Sequence, residues 1–341
     1  MLIELLLFIF FLLLIFIPGT LLSIIFNKRA FINNQVTWWH FPWIGTAFLV
    51  LLSINTNIGK TALFKGGYGL DWFKGIYIIA FILVTMTLWL IITSKMKQIV
   101  NVILKLCNKS TLVIYLFFCS IFLIIVSIHS LEIDTSNIID VSNKIILSSG
   151  SQYKSVIQNN DNGLAVSVLY SLISWGSNSY QHQISQILPA TYIMLLIFTI
   201  YKYIVNQRDI NIRIMVIILM LINIYFHFSV ERFNLSDILF MGILIQIIHS
   251  ITRISIKIRK NDYKSILSLE GEVILNAVSI IGLVIINHIL ACTFILVMLA
   301  ITGYYSYLYK NSSYIKVWLS STFIAMLLNP FVFGVGLLGT M

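Results

Sequence analysis

The sequence predicts an all-α fold, a polytopic bundle of about ten transmembrane helices with membrane-parallel helices in one long outer loop. Composition, the lengths of the apolar segments and the distribution of basic residues support this prediction. The 341 residues are 59% hydrophobic and 10% charged, and the mean hydropathy is +0.96. A soluble domain carries about 25% charged residues. We therefore expect most of the surface to face membrane lipids.

Apolar segments of membrane-spanning length occur throughout the chain. A helix needs about 20 apolar residues to cross a hydrocarbon core of about 30 Å. The first segment begins Met-Leu-Ile-Glu without a basic stretch, which favours a retained helix over a signal peptide, and Pro18-Gly19 interrupts it. The predicted spans are 2–26, 38–54, 76–93, 111–128, 187–204, 213–228, 235–252, 271–287, 289–308 and 317–336.

The basic residues indicate the orientation of the chain. If the amino terminus is outside, sixteen of the 22 Lys and Arg residues fall on inner loops, as the positive-inside rule requires. Most acidic residues fall on the other side. The net charge of +10 therefore reflects topology and gives no indication of a nucleic-acid partner. Richness in Ile, Asn and Lys is typical of an AT-rich bacterial genome, so we expect a multi-pass protein of the bacterial cell membrane.

The chain divides into a leading three-helix portion, 1–110, and a transmembrane core, 111–341. Within the core, residues 129–186 form the long outer loop and are mostly polar. Helical spacing of apolar residues predicts a helix over 134–149, and a shorter apolar stretch over 164–175 is typical of a helix lying in the membrane interface. A return helix is expected to begin near Pro189. This arrangement would form a lid over a cavity in the membrane.

Two carboxylates open the outer loop. Glu132 and Asp134 follow the charge-free segment 111–128, so they lie within a few residues of the membrane boundary. Further along, Arg232 and Asp237 occur in another predicted outer turn, and Asp237 leads into the next span. Acids at this depth can meet a lipid-linked substrate whose reactive end lies at the membrane surface.

This order of features resembles the GT-C class of membrane glycosyltransferases, which use polyprenyl-linked sugar donors. The resemblance covers about 130–308 and depends on pattern and topology. It implies that Asp134 is the essential acid of the first outer loop, that Asp237 is a second outer-loop acid, and that His288 is a histidine common in one bacterial branch. The chain departs from the class in its short length, its three leading helices and the lack of a soluble carboxyl-terminal domain.

The chemistry implied by this resemblance needs a base and a group that holds the departing phosphate. A partly buried carboxylate such as Asp134 or Glu132 can remove the acceptor proton. Arg232 is the outward arginine and could hold the phosphate, and a carboxylate-bound Mg²⁺ or Mn²⁺ is the other option. Cys107, Cys119 and Cys292 show no metal-ligand spacing, so no protein-held metal site is predicted from them.

Structural explanations for the same residues stay open. Asp134 could cap the helix that follows it, Glu231 and Arg232 could form a solvated surface pair, and buried His288 could hydrogen-bond a neighbour. At the level of the whole protein, the alternatives are a transporter, an O-antigen-type polymerase and a non-enzymatic membrane partner with an assembly, immunity or lipid-transport role. The nearly charge-free spans argue against ion-coupled transport, and a single outward arginine argues against a polymerase.

Overall fold

A computed structural model describes residues 2–26, 38–63, 166, 169, 181–206, 235–259 and 270–328. Of these residues, 96% are helical and none lies in a strand, so the all-α prediction is confirmed. The seven α-helices of the described residues are α1 Leu2–Phe26, α2 Phe41–Leu63, α3 Gln181–Asn206, α4 Leu235–Arg259, α5 Glu270–Ile286, α6 His288–Leu308 and α7 Ser313–Leu328, and a 3₁₀ turn at Trp38–His40 precedes α2.

Two prolines do not act on the helices as the sequence predicts. Helix α1 continues through Pro18, so Pro18-Gly19 does not interrupt it. Helix α3 begins at Gln181, eight residues before Pro189, and its first turns occupy the end of the predicted outer loop. Proline is tolerated within packed membrane helices because neighbouring groups can satisfy the carbonyl that it leaves without a donor. By contrast, the predicted break between α5 and α6 is confirmed: Asn287 caps α6 by accepting a hydrogen bond from the Leu290 N–H at 3.1 Å.

Helix α2 packs against α1, α4 and α5, and two of its side chains form hydrogen bonds to α3. Trp43 and Ala47 are fully buried on it, and the Trp43 indole N–H donates to the Thr199 hydroxyl on α3 at 2.7 Å. Val166 and Leu169, from the predicted membrane-parallel helix 164–175, are helical and buried in the same core. The core therefore joins helices from the leading portion to helices from the predicted transmembrane core.

Glycines allow the close approach of the helices that surround α2. A β-carbon at Gly19 on α1 would overlap the carbonyl oxygen of Phe41, and one at Gly45 on α2 would overlap that of Ile15. A β-carbon at Gly242 on α4 would overlap the Trp43 ring. Helices that lack a hydrophobic drive to associate use small residues in this way to gain packing contacts.

The contacts along each helix fix its direction relative to α2. Helix α1 is antiparallel to α2, because Gly19 lies near Phe41 and Ile15 lies near Gly45. Helix α3 is also antiparallel, because Thr199 bonds to Trp43 whereas Tyr192 bonds to Thr46, later along α2.

Helix α4 is antiparallel to α2 as well, and α5 runs alongside α2 in the same direction. Gly242 lies against Trp43, whereas His249 bonds to His40. Ser250 and Glu272 join the end of α4 to the start of α5, and Gly282 lies near Ala47 and Ile243.

Helices α6 and α7 form an antiparallel pair at the edge of the bundle. The Trp318 indole N–H on α7 donates to the carbonyl of Ile295 on α6 at 3.3 Å, while Gly303 lies near Ile315. The start of α7 packs beside the start of α5, because Tyr314 and Val273 share a small apolar cluster. Helix α7 therefore runs in the same direction as α5.

Two helices in the described part of the chain are long and apolar enough to cross a membrane. They are Leu235–Ser255 within α4 and His288–Leu308, which is α6. By length and composition alone, they point to a membrane protein. Within the most apolar window, 56% of the α4 segment is buried but only 17% of α6, so α6 is the peripheral helix of the two. The number of spans stays a prediction.

Candidate functional site

Seven polar residues line one cavity, together with Phe41, Ile44 and Leu275. The cavity lies at the end of the bundle where α1 and α4 end and where α2 and α5 begin. We call this set the polar cluster. Its members are Ser23, His40, Gln246, His249, Ser250, Arg253 and Glu272.

Two histidines of the polar cluster are hydrogen-bonded to each other. His40 Nε2 lies 2.8 Å from His249 Nδ1, so one ring donates and the other accepts. The Trp39 ring covers both, with its centre 3.7 Å from that of His40 and 5.0 Å from that of His249. The 3₁₀ turn before α2 positions His40, and the bond ties that turn to α4.

A carboxylate and a guanidinium form the second pair of the polar cluster. Glu272 at the start of α5 accepts hydrogen bonds from Arg253 through Oε1 and from Ser250, at 3.2 Å, through Oε2. The Glu272 side chain is 4% exposed and that of Arg253 is 20% exposed. A buried carboxylate requires such partners, because removing its charge from water without them is very costly.

A small cavity lies beside these pairs, and the centre of a water molecule could occupy about 20 Å³ of it. That is room for one water. Among the described residues, the buried atoms on its lining that have no hydrogen-bond partner include Ser23 Oγ, His40 Nδ1 and Gln246 Oε1. Each such atom costs about 1–3 kcal/mol unless it is satisfied. A small guest that can both donate and accept hydrogen bonds would satisfy them.

Helical periodicity brings the residues of the cluster onto facing stripes. On α4, Gln246, His249 and Arg253 recur at intervals of three and four residues. On α5, Glu272 and Asn276 are four residues apart and both are buried. Side chains at these spacings lie on one face of a helix. These two polar stripes in apolar helices are the signal by which the sequence could have revealed the site. Nothing in the sequence indicates that His40 belongs to the same site.

The sequence-predicted site residues that the structure describes lie at the other end of the bundle. Asp237 is the third residue of α4 and His288 is the first of α6. Ile243 on α4 lies beside Gly282 on α5. Asp237 is six residues before Ile243, and His288 is six residues after Gly282, and six residues correspond to about 9 Å along a helix axis. Because α4 and α5 are antiparallel, Asp237 and His288 lie at the same level. Neither is part of the polar cluster.

The other predicted site residues cannot be placed. Glu132, Asp134 and Arg232 lie outside the described residues. The predicted role of Asp134 or Glu132 as the base and that of Arg232 as the phosphate ligand therefore stay predictions, as does the optional Mg²⁺ or Mn²⁺. Within the described ranges, no three His, Cys, Asp or Glu residues are placed to hold a metal ion.

The charge of the polar cluster limits what it can bind. Arg253 and Glu272 neutralise each other, so with neutral histidines the cluster carries no net charge. It therefore offers neither the excess positive charge of a phosphate site nor the converging oxygens of a cation site. Its groups are suited to exchanging protons and to binding a small neutral hydrogen-bonding molecule. Ionisable residues inside apolar helices are by default candidates for such a role.

The chain matches no protein family, no curated protein and no solved structure.

Proposed function

We propose that the chain is a multi-pass membrane protein of about ten spans with its amino terminus outside, and that it transfers a sugar from a polyprenyl-linked donor to an acceptor on the outer face. The observation that carries this proposal is that Asp237 and His288 lie at one level, at the end of the bundle that the charge distribution predicts to be outside. The buried Arg253–Glu272 pair lies at the other end.

The directions of the described helices support the ten-span arrangement. Helices α1, α3, α4 and α6 run one way and α2, α5 and α7 run the other, as the order of the predicted spans requires. The parallel course of α3 and α4 is the most informative case. Asn206 and Leu235 therefore lie at opposite ends of the bundle, and span 213–228 is predicted between them in the sequence.

The turn between α6 and α7 supports a membrane boundary at the inner end. Tyr304 and Tyr307 at the end of α6 are 61% and 84% exposed, and Lys310 follows them in the turn. Tyrosine is enriched where an apolar helix leaves the hydrocarbon core, and lysine is enriched on the inner side. In the proposed orientation, Asp237 and His288 would lie outside.

Sugar transfer at the outer end would use carboxylates near the membrane boundary. Asp134 is our first candidate for the base that removes the acceptor proton, with Glu132 and Asp237 nearby in the predicted outer layer. Arg232 would hold the phosphate as the sugar leaves, alone or with a bound divalent cation. His288 would supply a hydrogen bond to the donor or acceptor.

The test compares two acids of the same outer loop. Cells that lack the chain are given wild type, Asp134→Asn or Asp140→Asn at equal membrane abundance, and their glycans and polyprenyl-linked sugars are measured by mass spectrometry. We expect Asp134→Asn to reduce product at least about 100-fold, because a positioned base contributes about 10²–10⁴. Asp140→Asn should retain it. Undiminished product with Asp134→Asn would remove this residue from the mechanism.

A second candidate is a non-enzymatic integral membrane partner. The peripheral position of α6 favours it, because large side chains such as Ile289, Leu296 and Tyr307 are exposed along this helix. The two proposals differ in a direct way. A partner protein would keep its cellular effect after Asp134→Asn and lose it when the exposed face of α6 is altered, for example by Leu296→Gln with Ile301→Gln.

A further inference from the structure

We propose that the polar cluster is a proton-binding site that holds a water molecule, and that its state of protonation determines whether the start of α2 stays tied to α4. The proposal does not depend on sugar transfer. It follows from the His40–His249 bond, from the cavity beside it, and from Ser23 Oγ, His40 Nδ1 and Gln246 Oε1, which belong to lining residues and have no hydrogen-bond partner in the described part of the chain.

Water is the guest that suits the cavity in size, charge and hydrogen bonding. The space admits the centre of one water-sized molecule, and the cluster is neutral overall. Gln246 Oε1 can only accept a hydrogen bond, whereas the Ser23 hydroxyl can donate one. A water molecule can donate to the first and accept from the second, and its remaining proton or lone pair would be available to His40 Nδ1. A phosphate is too large for this space and would bring a negative charge that the neutral cluster does not offset.

The histidine pair takes up protons in two steps with different consequences. In the tautomer where His40 Nε2–H donates to His249 Nδ1, the first proton, delivered by the water, binds His40 Nδ1 and leaves the bond intact. The second proton binds His249 Nδ1, which can then no longer accept. In the other tautomer the order differs, but the fully protonated pair again has two N–H groups facing each other. The bond between α2 and α4 is lost in either case.

The charged groups around the pair oppose its full protonation. Arg253 lies one helical turn after His249 on α4 and repels a second positive charge. Glu272 on α5 attracts it but is already bonded to Arg253 and Ser250. Helix α3 also packs against the 3₁₀ turn, and the ammonium of its Lys202 lies over the Phe198 ring, 5.7 Å from the ring centre. Doubly charged histidines at this place would therefore separate.

The experiment measures thermal unfolding of the full chain in detergent at pH 8 and at pH 3, because the charges and burial around the pair delay its full protonation to acidic pH. Between the two pH values, the thermal unfolding midpoint of wild type should fall by about 3 °C more than that of a variant whose histidine pair cannot titrate. Wild type loses one buried hydrogen bond and its charge balance, and the variant does not. The non-titrating variant is His40→Gln with His249→Asn, whose amides occupy the positions of Nε2 and Nδ1 and can still bond. The matched control, His288→Asn, removes a histidine outside the cluster and should behave as wild type does.

An equal fall in wild type and in the double variant would overturn the proposal. If the double variant does not fold, a second measurement on the wild-type chain tests the proposal. Solid-state NMR of the wild-type chain, ¹⁵N-labelled at histidine in phosphatidylethanolamine–phosphatidylglycerol vesicles, should show a coupling across one N–H···N bond between two rings at pH 8, and this coupling should vanish at pH 3. A water cross-peak to one of these rings is also expected. A coupling that persists at pH 3, or that is missing at pH 8, would contradict the account.

Discussion

Gly45 on α2 lies directly against the backbone carbonyl of Ile15 on α1. Gly19 makes the reciprocal contact with the carbonyl of Phe41, so the two helices meet backbone to backbone at two successive turns. Ile15 is fully buried and belongs to the main core with Trp43. The position of the 3₁₀ turn, and with it His40, therefore depends on this close contact between α1 and α2.

Replacing Gly45 with alanine should destabilise the bundle by about 1–3 kcal/mol, because the added methyl group cannot fit without separating α1 from α2. Gly303→Ala is the matched control. Its β-carbon would meet nothing closer than Ile315 Cδ1 at 3.9 Å, and alanine is the better helix former, so it should be neutral or stabilising. Thermal unfolding in detergent measures both. Equal loss in the two variants would show that α1 and α2 are not in backbone contact.

Tyr192→Phe should cost about 1 kcal/mol in the free energy of unfolding, because it removes the buried hydroxyl that bonds Thr46 at 2.9 Å. Thr46 keeps its hydrogen bond to the Pro42 carbonyl, so no new unsatisfied group is created. Tyr307→Phe removes the same atom from a side chain that is 84% exposed and should have no measurable effect. A neutral Tyr192→Phe would argue against the contact between α2 and α3.

Glu272→Met should destabilise the protein by about 3 kcal/mol, because it leaves the Arg253 guanidinium without its carboxylate in a largely buried site. Arg253→Met should be similarly costly. The combined Arg253→Met and Glu272→Met variant should be more stable than either single variant, since no uncompensated charge remains. Urea or thermal unfolding of the three variants measures this coupling. Additive losses would show that the two side chains are not paired.

The fold was predictable from the sequence where a local signal decides it. Apolar length identified the helices and placed a break between spans 271–287 and 289–308, and the structure shows that Asn287 caps the second of them. The effect of Pro18 was predicted wrongly, because packing against α2 holds α1 in one continuous helix. A local proline signal cannot include that contact.

The polar cluster was only partly accessible to sequence analysis. Glu272 and Gln246 each recur with other polar residues at helical spacing, so a local signal exists for the parts of the cluster on α4 and α5. His40 lies more than 200 residues before His249 and precedes a helix, so no periodicity connects them. Only the packing of α2 between α4 and α5 brings the two rings together.

The prediction for the outer end depends on residues that are far apart in the chain. Asp237 and His288 share a level because α4 and α5 are antiparallel, and the sequence indicated this through its alternating spans. Whether Glu132, Asp134 and Arg232 join them is the open part of the proposed function, and their distance from His288 would decide it.

The most direct test of the account is the sidedness of the two ends of α6. The chain, with Cys107, Cys119 and Cys292 replaced by alanine, receives a single cysteine as Ile289→Cys or Lys310→Cys, at positions that are exposed in the fold. Intact cells are then treated with a membrane-impermeant thiol reagent. We predict that cysteine at 289 reacts in intact cells and that cysteine at 310 reacts only after the membrane is opened. Reaction at 310 but not at 289 would place His288 and Asp237 on the inner side and contradict the proposed enzyme.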